Sequence, residues 1–69
     1  MLNPKEMKSG DILLHKQKYC TSSLLLLSEL TALGTDSAFT ADVFWLDKEY
    51  WFKEQNVILY QSEKWTKLC

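Results

Sequence analysis

The stretch from Ala38 to Tyr60, A-F-T-A-D-V-F-W-L-D-K-E-Y-W-F-K-E-Q-N-V-I-L-Y, decides the fold. It holds two of the three Trp, two of the three Tyr and all three Phe. Aromatic and β-branched side chains suit a pleated, half-buried surface. Two such runs flank the polar knot Asp47-Lys48-Glu49, the pattern of a β-hairpin with a short charged turn. Alternation puts Phe39, Ala41, Val43 and Trp45 on one face and Thr40, Asp42, Phe44 and Leu46 on the other. The first set is the more apolar and is the expected core face. A two-residue turn at Asp47-Lys48 sets Trp45 opposite Tyr50 and Phe44 opposite Trp51, whereas a three-residue turn pairs Trp45 with Trp51. In the two-residue register Trp45 belongs to the core. Trp51 then shares with Phe44 the face that a partner can reach.

Working outward, Lys53-Glu54-Gln55-Asn56 breaks the apolar pattern, which signals a bulge or one tight helical turn. Val57 to Tyr60 is a short strand, and Trp65-Thr66-Lys67-Leu68 reads as a closing strand. On the other side, Gly34-Thr35-Asp36-Ser37 reads as a loop. The segment Thr21 to Leu33 is ambiguous. Ser22 or Ser23 is a fair helix cap and Gly34 sits where a C-terminal cap belongs. Yet Leu24 to Leu27 is apolar all round, and a strand buried on one face and partly covered on the other accommodates that run equally well. Ser9-Gly10-Asp11 is a turn, followed by a strand from Asp11 to Tyr19 with Ile12 and Leu14 facing one way and Leu13 and His15 the other. Before it, Asn3 is placed to cap a short helical turn with Pro4 at its first position. Two architectures follow: an all-β, five-stranded small barrel with that helical turn, or an α+β domain with a helix over 22–33.

The 69 residues are expected to form a single domain, spanning 1–69. Chains shorter than roughly 80 residues hold a net margin of about 3–5 kcal/mol from one core. Eight basic residues face nine acidic ones, and every basic residue is Lys. Proteins that grip phosphates generally carry a basic excess and favour the planar fork of Arg. Nucleic-acid binding is therefore disfavoured. Cys20 and Cys69 follow a polar start with no secretory signal, which reads as a reduced, cytoplasmic protein with two free thiols. Leu24 to Leu27 is too short to span a bilayer.

Four motifs taken together resemble a group of short phage-encoded SH3-like barrel proteins. These are Lys8-Ser9-Gly10-Asp11-Ile12-Leu13, Val43-Phe44-Trp45-Leu46-Asp47, Tyr50-Trp51-Phe52 and Asn56-Val57-Ile58-Leu59. The shared pattern is a Gly-Asp-aliphatic opening, an aliphatic-x-Trp-x-Asp strand, an aromatic pair after the turn and a final aliphatic strand. The chain departs from it at Tyr19-Cys20-Thr21 and Lys48-Glu49, where the group has turn glycines. The resemblance implies a strand for the leucine run. It also implies a phage accessory protein in the host cytoplasm that docks on a host protein or a virion component. Such short motifs report fold rather than activity.

No catalytic set stands out. His15 is the only imidazole and no Ser or Cys is tied to it by spacing. Asp47 and Glu49 are turn acids, Asp42 reads as a solvent-face residue, and the two Cys lack a Cys-x-x-Cys spacing. The expected protein is not an enzyme and carries no cofactor or metal. The surplus of rings is the informative signal. Nine aromatic side chains exceed the five or six (roughly) that fill so small a barrel. Phe44, Tyr50, Trp51 and Trp65 are the candidate partner-binding platform, since aromatic anchors dominate interface energetics. The reading is a protein–protein interaction module, and near-neutral charge also favours homo-oligomers. The alternative is a nucleic-acid-binding SH3-like barrel of transcription or translation. It would use Lys16, Lys18, Lys48, Lys53, Lys64 and Lys67, with Trp51 or Trp65 stacking on bases.

Overall fold

Leu24 and Leu26 are fully buried while Leu25 and Leu27 are half-buried, the two-residue alternation of a strand. The leucine run is thus a strand with an apolar side chain on both faces, and the chain is all-β, with no helix over 22–33. The computed structural model describes residues 1–46 and 51–68. Among them are six strands: β1 Ile12–Lys16, β2 Thr21–Leu26, β3 Thr31–Leu33, β4 Thr35–Trp45, β5 Phe52–Tyr60 and β6 Trp65–Leu68. β2 and β3 pair with successive parts of β4, so they act as one strand bent at residues 27–30. Counted that way the order is β6-β1-β2/β3-β4-β5, which recovers the expected count of five. All pairings are antiparallel, and the sheet curls into a half-barrel that stays open between β5 and β6. The radius of gyration of 11.1 Å matches the roughly 11 Å of a compact chain this long, so the open seam does not loosen the domain.

The closing strand occupies the expected positions, but other bounds differ. β1 stops at Lys16, and the stretch expected as a loop after Gly34 is already β4. Gly34 alone makes the reversal between β3 and β4, at φ +67°, where a side chain would be strained. The hairpin register also differs from both expected turns. Trp45 pairs with Phe52, Phe44 with Lys53 and Val43 with Glu54. Six residues, 46–51, therefore separate the paired ends, and the Asp47-Lys48 turn lies outside the described residues. Further along, Ala41 pairs with Val57. Gln55 and Asn56 together therefore oppose Asp42, which makes the anticipated bulge. Asn56 sits at φ +55°, and its N–H donates to Asp42 Oδ1 at 3.0 Å. Asp42 is thus a bulge anchor.

The core follows from this register. Leu13, Leu24, Leu26, Phe39, Ala41, Val43, Leu59 and Trp65 are buried from the strands, and Leu2 and Met7 join them from the N-terminal segment. That segment makes the expected turn. Asn3 Oδ1 accepts the Lys5 N–H at 3.0 Å, and the Asn3 carbonyl accepts the N–H groups of Glu6 and Met7 at 3.0 and 2.9 Å. Gln61 then clamps Leu2, its Oε1 accepting the Leu2 N–H at 2.7 Å and its Nε2 donating to the Leu2 carbonyl at 2.9 Å. Among the described residues no helix is long and apolar enough to cross a membrane.

Candidate functional site

Directly paired residues of an antiparallel sheet project to the same face. One such row runs Lys67-Leu13-Leu24-Trp45-Phe52 along the inner face, and its centre is core. The neighbouring row, Leu68-Ile12-Leu25-Phe44-Lys53, lies on the outer face. Four of its five members are apolar, although nothing in the described chain packs over them as a second layer. Ile12, Leu25 and Phe44 are half-buried by their neighbours, and Leu68 is 51% exposed. Trp51, 69% exposed, sets its ring edge-on to Phe44 with centroids 6.3 Å apart. Leu14, and Leu46 whose N–H donates to the Ser23 carbonyl at 3.0 Å, extend the apolar surface by a second row. The outcome is a band of aliphatic side chains across four strands, ending in an aromatic pair. This band also explains the two-sided hydrophobicity of the leucine run.

The expected platform is therefore brought together in part. Phe44 and Trp51 are in contact. Tyr50 lies outside the described residues. Trp65 is not on that surface at all. It is buried on the inner face beside His15, ring centroids 4.7 Å apart, and its Nε1–H donates to the Tyr60 carbonyl at 2.9 Å. Trp45, expected in the core, is only half-buried, and its Nε1–H donates to Glu54 Oε1 at 2.9 Å. Ile12, Leu25 and Leu68 were not singled out as site residues. The signal was present in the leucine run and in the Ile12/Leu14 alternation, but only the sheet order sets them beside Phe44.

A second feature lies on the inner face, where the half-barrel opens. His15, Ser22, Trp45, Leu59, Tyr60 and Trp65 line a groove of about 270 Å³. Ser22 is the cross-strand neighbour of His15, yet no side-chain hydrogen bond joins them. His15 Nδ1 instead meets Gln17 Nε2 at 3.4 Å, and Gln17 Oε1 accepts from Cys20 Sγ at 3.3 Å. Cys20 is free and exposed, and Cys69 lies outside the described residues.

Of the six candidate lysines, Lys48 lies outside the described residues and Lys53 stands at the end of the outer row on β5. Lys16 and Lys64 adjoin through a backbone bond at 3.3 Å, and Lys18 lies over the Tyr19 ring at 5.3 Å. Lys67 is engaged elsewhere, 3.6 Å from Asp11 and bonded to the Glu6 carbonyl. Comparison with protein-family models, with curated proteins and with solved structures finds no match to this chain.

Proposed function

We infer that this chain is a protein-docking module whose contact surface is the outer band, centred on Phe44 and Trp51. The observation that carries this reading is the register itself. It aligns Leu68, Ile12, Leu25 and Phe44 in one row and leaves the Trp51 ring exposed at its end. A contiguous apolar surface with no second layer is the usual mark of an interaction site. An exposed Trp braced against a half-buried Phe resembles the central anchors of interfaces, which carry most of the binding energy. Lys53 closes the row on the β5 side, which favours a partner with an acidic rim. The resemblance to phage-encoded barrels supplies the partner class, a host or virion protein.

The experiment is affinity capture with the wild-type chain and with Trp51→Ala, each first shown to be folded. Loss of an anchor ring costs about 2 kcal/mol or more, which is about 30-fold in affinity. The partner recovered by the wild type is expected to be missing or strongly reduced with the variant. Equal recovery by both proteins removes the outer band from the account.

A further inference from the structure

The geometry points to a second, separate site in the seam between β5 and β6: a strand-accepting groove for an extended peptide carrying one Tyr or Trp side chain. Its evidence is independent of the outer band, because it lies on the other face of the sheet.

The first observation is an unpaired edge. Gln61 N–H donates to the Ser37 carbonyl at 2.9 Å, continuing the register in which Ala38 faces Tyr60. In an antiparallel ladder the bonded pairs alternate, so Leu59 and Val57 also turn their main-chain groups to β4. Ile58 and Tyr60 turn theirs the opposite way, into the seam. β4 is the one strand paired with β5 among the described residues. The Tyr60 carbonyl is engaged by Trp65 Nε1–H at 2.9 Å, which leaves Ile58 N–H, Ile58 C=O and Tyr60 N–H without a partner strand. Below this run the left-handed bulge at Asn56 twists the edge, so the straight template is only Val57 to Tyr60.

The second observation is the groove of about 270 Å³ lying against that same edge. A cavity of about 150 Å³ accommodates benzene, so one aromatic side chain fits. Trp45, Trp65 and Leu59 supply apolar walls, while His15 and Ser22 stand side by side as polar groups. The Ser22 hydroxyl has no partner among the described residues. That combination suits a ring with a polar edge, a phenol or an indole. A free ring satisfies the groove but not the edge. An extended peptide satisfies both, because main-chain bonds and an alternate side-chain pocket come together at strand spacing.

The pairing makes a sharp test. A peptide residue opposite Leu59 sends its side chain to the inner face, into the groove, and its own N–H away from β5. Its two neighbours, opposite Ile58 and Tyr60, present their main-chain groups to β5. The probe is acetyl-Thr-Val-Tyr-Val-Thr-amide, titrated into the full chain and followed by amide and indole NMR shifts. Shifts are expected at Ser22, Ile58 and Tyr60 and at the Trp65 indole N–H. N-methylation of both Val amides is expected to weaken binding about tenfold or more, and N-methylation of the Tyr amide to leave it within about twofold. Ser22→Leu, which fills the groove, is expected to abolish the shifts while the protein stays folded. Equal binding by both methylated peptides overturns the proposal. So does p-cresol alone reproducing every shift at the peptide's affinity, which would make the groove a small-molecule ring site. Absence of shifts overturns it as well.

Discussion

Replacing each tryptophan by alanine in turn is expected to rank the three as Trp65, Trp45, Trp51, from largest loss of stability to smallest. Trp65 is 6% exposed and packs on the inner face, and its indole N–H bridges the seam to Tyr60 at 2.9 Å. Truncating a buried Trp costs about 3–5 kcal/mol through lost transfer energy and the cavity left behind. The seam hydrogen bond adds about 1 kcal/mol. Against a margin of about 3–5 kcal/mol for a chain this short, Trp65→Ala is expected to be unfolded at room temperature. Trp65→Phe keeps the ring and loses the bond, so it is expected to fold with its Tm lowered by about 4–8 °C per kcal/mol lost. Trp45 is half-buried and holds Glu54, so its truncation is expected to cost about 1–3 kcal/mol. Trp51, at 69% exposed, is expected to cost about 1 kcal/mol or less. Thermal melts by far-ultraviolet circular dichroism, with denaturant titrations of the folded variants, read the order. If Trp65→Ala melts with the wild type, or if Trp51→Ala unfolds, the assignment of inner and outer rows is wrong.

Three further outcomes follow from the same packing. Leu24→Ser is expected to unfold the chain or cost at least about 3 kcal/mol, while Leu25→Ser costs about 1 kcal/mol. Equal losses in chemical denaturation would contradict the strand alternation. Asn56→Gly is expected to be near-neutral and Asn56→Val to lose about 1–2 kcal/mol, since β-branched residues resist a φ of +55°. A Val variant as stable as the Gly variant in denaturant titration would remove the bulge. Gln61→Ala breaks both bonds to Leu2 and is expected to cost about 1–3 kcal/mol and to speed hydrogen exchange at the Leu2 and Met7 amides. Unchanged exchange there would mean that the clamp does not hold the N-terminal segment on the core.

The sequence disclosed elements whose cause is local. Asn3 before Pro4 specifies its own turn, Trp65 to Leu68 is a strand by composition, and the polar interruption before Val57 is the bulge. The core face Phe39, Ala41 and Val43 was legible from alternation, and all three are buried. The register was not, because Lys48-Glu49 carries no glycine to select a turn type and the bulge shifts pairing without altering the apolar pattern. Trp45 faces Phe52 rather than Tyr50, a slip of two residues. A slip of two keeps every side chain on its face, which is why Trp51 still meets Phe44. Trp65 misled for another reason. Flanked by Lys64, Thr66 and Lys67 it looks like a surface residue, and only the pairing of β6 with β1 carries its ring inward over His15. The outer band was hidden in the same way, since its members come from four strands and meet only through the sheet order.

The most direct test of the docking surface is hydroxyl-radical footprinting of the protein free and in complex with a captured partner. Trp51, Phe44 and Leu68 are expected to lose most of their oxidation on binding, while exposed Tyr19 and Tyr60, which lie off the band, react as in the free chain. Full oxidation of Trp51 in the complex, with protection at other positions, would contradict the claim that the outer band is where the partner sits.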